Sequence, residues 1–210
     1  MSIYSVFLDK DQYYDQNIKL GSYNINNIAD IIKMYLDLSS DIDSIYIAGG
    51  CYGRKQKGIE DLIESCFGNG SLKKYKISLM RKYKGFSFSP TDKAIKKYHH
   101  YLGVKFNTGR SDHRKMMFFL VKDKVVAVLI GSSNFSPSTY LKKHSSEADL
   151  LLIDYQFNGY YVNTNIVELL EGQFSNDNIN NTNNLNNNFI VSKSLHGTNL
   201  LQEIFNCIKK

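Results

Sequence analysis

Apolar positions along this chain follow two rhythms. Short runs dense in β-branched and aromatic residues occur at Ser2–Leu8, Ser44–Ala48, Tyr75–Met80, Lys115–Val121, Val125–Ile130 and Ala148–Asp154. Each reads as a strand. Elsewhere apolar residues recur three and four apart. Ile28, Ile31, Ile32, Tyr35 and Leu36 do so within Asn27–Leu38, and Ile59, Leu62, Ile63 and Phe67 within Gly58–Phe67. That spacing lines one face of a helix, and Asn26 or Asn27 can cap the first of the two. Helices are also predicted at Thr91–Leu102, with Thr91 as cap, at Thr164–Phe174 and at Thr198–Ile208. Lys122-Asp123-Lys124 separates two apolar strands and predicts a hairpin, while Gly49-Gly50 ends the strand before it.

Strands alternate with helices early, and a run of strands follows. This order predicts an α/β fold in which a mixed sheet is flanked by helices in layers. No internal repeat is visible. Asn176–Asn188 holds nine asparagines in thirteen positions, a low-complexity loop expected to carry no chemistry. The 210 residues are long enough to bury a core, and one domain over 1–210 is the economical reading.

Composition narrows the classes. Cys51, Cys66 and Cys207 are few and widely spaced, with no C-x-x-C pair. This argues against a disulfide scaffold and against a zinc site, and it is compatible with a reducing compartment. The opening MSIYSVFLDKDQYYDQ turns acidic before an apolar stretch builds up. Neither a signal peptide nor a membrane span is expected, and a cytoplasmic location follows as the default. Charge is unevenly spread. Residues 51–143 hold 20 of the 26 Lys and Arg but 6 of the 20 Asp and Glu, leaving that block at +14 and the rest of the chain at −8. A block this basic suits a polyanionic partner, nucleic acid above all. A plain solvated surface would produce the same charge.

Candidate chemistry is concentrated in one stretch. Ser111-Asp112-His113-Arg114-Lys115 precedes the hairpin, Gly131-Ser132-Ser133-Asn134 follows it, and Glu147 comes next. If Lys115 opens a strand, His113 and Lys115 point to one face. The Gly-Ser-Ser-Asn turn ends the neighbouring strand at the same end of the sheet. An imidazole, an ammonium, a carboxamide, hydroxyls and loop N–H groups would then converge. A neutral imidazole is a competent nucleophile near pH 7. Lys115 and Asn134 can hold nonbridging phosphate oxygens as charge develops. Gly131 permits close backbone approach, and Glu147 can hold the ring N–H and fix its tautomer. Asp149 is the rival acid, although strand alternation could turn it to another face.

His113-Arg114-Lys115 followed by Gly131-Ser132-Ser133-Asn134 resembles the H-x-K and G-S-x-N motif of the phospholipase D superfamily. Glu147 resembles the acid found after that motif in its bacterial nuclease and restriction-endonuclease branches. Ile45–Tyr52, IYIAGGCY, is similar to the strand and turn those proteins carry upstream. The resemblance spans residues 25–155, with its specific part at 111–147. One departure stands out. The fuller motif has an aspartate five positions after the lysine, where this chain has Leu120, and the nearest acid, Asp123, falls in the predicted hairpin turn. Several nuclease branches lack that aspartate too.

The resemblance implies a phospholipase D-like layered domain and a metal-independent endonuclease acting through a phosphohistidine on His113, with no cofactor. Lys115, Asn134, Ser132 and Ser133 would meet the phosphate. With one motif copy, the second histidine would come from a twin chain, so a homodimer with the site at its interface is expected. DNA is the favoured substrate, and a role in restriction or defence follows from the resemblance alone. Arg81, Lys82, Lys84, Lys93, Lys96, Lys97, Arg110 and Arg114 are candidates for phosphate-backbone contact. Tyr83, Phe86 and Phe88 interleave with them and could stack on bases, or could simply be buried.

Bland readings compete. Each basic residue singly is an ordinary solvated side chain, and Ser132, Ser133 and Asn134 could merely shape a turn. His99-His100 would point in different directions on a helix. His144 could touch substrate. Cys51 lacks a visible base. The alternative function is a catalytically silent nucleic-acid-binding module. A phospholipase is a further alternative, but it would call for two motif copies in a longer chain.

Overall fold

A computed structural model describes residues 3–9, 18–39, 41–49, 56–69, 74–80, 114–141, 147–154, 156–157, 160–161, 163–169 and 189–194. The strands are β1 (Ile3–Asp9), β2 (Ile18–Leu20), β3 (Tyr23–Ile25), β4 (Ser44–Gly49), β5 (Lys76–Met80), β6 (Lys115–Val121), β7 (Lys124–Gly131), β8 (Ala148–Asp154), β9 (Gln156–Phe157), β10 (Tyr160–Tyr161) and β11 (Phe189–Ser194). Helices α1 (Ile28–Leu38), α2 (Gln56–Phe67) and α3 (Pro137–Tyr140) accompany them, with a further helical segment at 164–169. Seven strands form one sheet in the order β11-β1-β8-β7-β6-β4-β5, and β2-β3 and β9-β10 form small separate ribbons. Only β4 and β5 pair in parallel within the large sheet; its other neighbours are antiparallel. The fold is α/β, a mixed sheet flanked by helices, as the alternation of patterns predicts.

α1 forms where the apolar spacing places it. Ile28, Ile31, Ile32, Tyr35 and Leu36 are all buried. Asn27 caps it, its side chain accepting from Asp30 N–H at 3.0 Å, while Asp30 Oδ2 accepts from Asn26 N–H at 2.8 Å. One orphan donor of the first turn is thereby satisfied, the chain entering the helix is tied to Asp30, and an acid sits at the positive end of the helix. α2 starts at Gln56, two residues earlier than the apolar pattern indicates. Gly58 lets it approach α3, since a side chain there would meet Pro137 Cγ at 3.1 Å.

β6 and β7 are apolar almost throughout because the sheet is covered on both faces. Met117, Phe119, Ala127, Leu129, Leu151 and Ile153 pack with Ile45, Ile47 and the helices in the main core. Phe118, Leu120, Val125 and Val128 form a second apolar cluster on the other face. The register slips by one between Phe119 and Leu120, because Phe119 faces Ala127 while Leu120 faces Val125. Val126 is the extra residue of this bulge, and it joins Ala127 in the main core.

The hairpin turn is tighter than predicted. Lys122 and Asp123, at φ 47° and 64°, make the whole loop, and Lys124 already belongs to β7. Positive φ at both central residues matches the twist of two antiparallel strands. Asp43 braces the turn by accepting from Lys122 N–H at 2.7 Å.

Helices predicted at Thr91–Leu102 and Thr198–Ile208 lie outside the described residues, as does all of Asn176–Asn188. Among the described residues, no helix is long and apolar enough to cross a membrane.

Candidate active site

One end of the large sheet gathers Lys115, the Gly131–Asn134 turn and Glu147. Gly49, the last residue of β4, pairs with Lys115, the first of β6. Met116 pairs with Ile130, so Lys115 and Gly131 are the next residues outward on adjacent strands. Gly131 in turn pairs with Asp149 near the start of β8. The ends of four strands thus meet at one rim, and Gly131-Ser132-Ser133-Asn134 leaves that rim toward α3. Alternation puts Lys115 on the face of Met117 and Phe119, which is the helix-covered face. Lys115 is half-buried, as are Asn134 and Glu147, while Arg114 is exposed.

Two serine–carboxylate pairs hold the turn. The Ser132 hydroxyl donates to Glu147 Oε2 and accepts from Ala148 N–H at 3.0 Å, and Ser132 N–H donates to the Ala148 carbonyl at 3.0 Å. The Ser133 hydroxyl donates to Asp149 Oδ2, and its N–H donates to Asp149 Oδ1 at 3.3 Å. Ser133 and Asp149 are buried; Ser132 is exposed. A hydroxyl has one proton to give. In this arrangement both serine protons go to carboxylates, and the N–H groups of residues 132 and 133 are also taken within the chain.

Gly131 has a structural reason of its own. A Cβ there would fall 1.9 Å from Asp149 Oδ1 and 2.4 Å from the Ala148 carbonyl oxygen. The space a side chain would fill is occupied by the Asp149 carboxylate. Past the turn, Phe135 is fully buried, set edge-on to Tyr140 with centroids 5.2 Å apart and stacked with Phe67 at 6.3 Å. Asn134 therefore stands between a latched Ser133 and a core-anchored Phe135.

Asp149 lies on the face of Leu151 and Ile153, where alternation could equally have turned it away. Phe135 was not singled out from the sequence; an aromatic directly after a four-residue polar turn is the signal that marks it. Asp123 lies in the Lys122-Asp123 turn, at the other end of the hairpin from Lys115. Leu120, five residues after Lys115, is buried in the second apolar cluster. Tyr46 packs on that same face, and partial burial raises its pKa while the nearby Arg114 lowers it.

His113 lies outside the described residues. So do His99, His100, His144, Cys51, Arg81, Lys82, Lys84, Lys93, Lys96, Lys97 and Arg110. Among the described residues, no three His, Cys, Asp or Glu side chains gather as they would around a metal ion.

No protein-family model and no curated protein matches the chain. Among solved structures it is similar to NucT from Helicobacter pylori, at 15% identity and a TM-score of 0.39, over 69% of this chain and 83% of that one. It is also similar to the yeast tyrosyl-DNA phosphodiesterase, at 12% identity and a TM-score of 0.45, over 71% of this chain and 47% of that one. The match to that enzyme's H432N_Glu mutant has 11% identity and a TM-score of 0.46, over 74% and 48%. The chain spans about half the length of the yeast enzyme.

Proposed function

We propose that this chain is a metal-independent phosphodiesterase that cleaves nucleic acid, DNA foremost, through a covalent phosphohistidine on His113. The observation that carries the reading is the meeting, at one sheet rim, of Lys115, the Gly131–Asn134 turn and Glu147. The chain also bears His113 two positions before Lys115. This set supplies what in-line displacement at phosphorus requires.

In the first step a ring nitrogen of His113 attacks phosphorus, forming the N–P bond as the P–O bond to the leaving oxygen breaks. A second imidazole, from a twofold-related copy of the chain, gives that oxygen its proton. The same imidazole then takes a proton from water, whose oxygen bonds to phosphorus and releases His113. Lys115 and Asn134 hold the nonbridging oxygens, where charge builds up in both transition states. The serine hydroxyls, already donating to carboxylates, shape the turn rather than bind phosphate. Glu147 has a second oxygen with which to accept the imidazole N–H and support its positive charge.

Binding of the polyanion falls to the basic block at 51–143. Affinity should then drop linearly with salt on a log–log scale, as counterions are released. Lys115→Ala and Asn134→Ala should each lower the cleavage rate on plasmid, single-stranded DNA or RNA by roughly 100–1000-fold, as loss of a transition-state donor does. Thermal midpoints should stay near that of the wild type. Salt-sensitive binding without cleavage of any of the three substrates would favour the silent binding module instead.

A further inference from the structure

A buried carboxylate that no step of the proposed reaction uses grips the Gly131–Asn134 turn. Asp149 is 3% exposed and shares its face of β8 with core residues Leu151 and Ile153. An apolar residue would satisfy that position at less cost, because a carboxylate withdrawn from water must be hydrogen-bonded. Here the offset is local. Oδ1 accepts from Ser133 N–H at 3.3 Å, and Oδ2 accepts from the Ser133 hydroxyl. To reach Ser133 the carboxylate crosses the α-carbon of Gly131, where a Cβ would stand 1.9 Å from Oδ1. Gly131, Ser133 and Asp149 are thus three parts of one contact.

From these contacts we infer that Asp149 is a positioning residue of the site, fixing through Gly131 and Ser133 where Asn134 presents its carboxamide. The inference rests on the phosphodiesterase reading above. Asn134 has an anchor on each side, Ser133 on Asp149 and the fully buried Phe135 in the core. Phe135 sets the depth of the turn, and Asp149 sets its rotation about residues 131–133. Without the carboxylate, the two Ser133 donors turn elsewhere and the carboxamide drifts. A misplacement of about 1 Å in such a group costs about 100-fold. Because Asn134 acts on charge that develops only in the transition state, the loss falls on kcat rather than on KM.

The test uses the full chain and whichever of plasmid, single-stranded DNA and RNA the wild type cleaves, comparing the wild type with Asp149→Ala, Asp149→Asn, Ser133→Ala and Lys115→Ala. Thermal midpoints are measured beside kcat and KM. Asp149→Ala and Ser133→Ala should lower kcat by roughly 10–100-fold, with KM changed by less than about 3-fold. Asp149→Asn keeps an acceptor for the Ser133 N–H and a polar partner for its hydroxyl, so it should recover most of the rate. Should Asp149→Ala not fold, Ser133→Ala and Asp149→Asn carry the comparison. Wild-type kcat in Ser133→Ala overturns the inference. So does an Asp149→Asn protein as slow as Asp149→Ala, or a rate loss that merely tracks the thermal midpoint. Lys115→Ala separates the two readings. If it cleaves like the wild type, or if the wild type cleaves nothing, the phosphodiesterase reading fails and takes this inference with it. If Lys115→Ala is inactive while both Asp149 variants and Ser133→Ala remain fast, only the positioning role fails.

Discussion

A methyl group at residue 131 would lie 1.9 Å from Asp149 Oδ1 and 2.4 Å from the Ala148 carbonyl oxygen, far inside contact distance. Gly131→Ala is therefore expected to destabilise the chain by about 1–3 kcal/mol, the usual cost of overpacking. Part of that loss should return when Asp149→Ala is added, because the nearer colliding oxygen, Oδ1, leaves with the carboxylate while the Ala148 carbonyl stays. A thermal-unfolding cycle over the two single variants and the double should give a coupling of about 1 kcal/mol or more. Strict additivity would contradict the contact. Legibility differed sharply between these two residues. Lys115 and the Gly-Ser-Ser-Asn turn could be placed at one rim from the sequence, because a short hairpin fixes which residues lie opposite. Asp149 could not, because Leu150, Leu151, Leu152 and Ile153 are apolar in both phases of the strand. With both sheet faces buried, alternation carries no signal.

Among the elements, the β6–β7 hairpin sets the site's geometry and holds its own strain at the far end. Lys122 adopts φ 47° and Asp123 φ 64°, conformations that cost a residue with a Cβ about 1–2 kcal/mol relative to glycine. Lys122→Asn with Asp123→Gly, the preferred pair for such a turn, should raise the thermal midpoint by a few degrees. Cleavage should be unchanged, since the turn lies at the opposite end of the hairpin from Lys115 and Gly131. A fall in midpoint would mean that the bond from Lys122 N–H to Asp43 had been lost along with the strain. The longer elements were legible as patterns, α1 and β6 nearly to the residue. β2 and β3 were not, because three residues are too few to show a period. β11 was missed as well, since Phe189–Ser194 follows directly on an asparagine-rich tract that hides its rhythm.

At the level of the whole molecule, β1 lies between β8 and β11, so strands from the two ends of the chain stand side by side. No local pattern announces such pairing. Beyond the strand ends opposite the candidate site, a part-buried polar knot ties the 163–169 segment to α1. Asn163 Oδ1 accepts from Tyr35 Oη at 2.9 Å and Ser39 Oγ at 3.2 Å. Its amide donates to the carbonyls of Val126 at 3.2 Å and Asp154 at 2.7 Å. Burial pushes the Tyr35 hydroxyl well above the usual tyrosine range, and the charge of Asp154 adds to the rise while the hydrogen bonds to Ser39 and Asn163 oppose it. The unfolded chain releases this proton near pH 10 while the folded chain keeps it. Stability from this group is therefore full below about pH 10 and is lost as pH rises beyond it. Denaturant unfolding between pH 8 and 11 should show that decline, and Tyr35→Phe should flatten it while lowering stability at pH 7. An unchanged slope in the variant would place the alkaline loss elsewhere.

The central claim is that a histidine, unaided by metal, breaks the phosphodiester. The most direct test is cleavage of plasmid, single-stranded DNA and RNA in excess EDTA by the wild type and His113→Ala. Cleavage by the wild type should survive chelation, and it should disappear in the variant. Cleavage that stops with chelation, or that persists without His113, would contradict it.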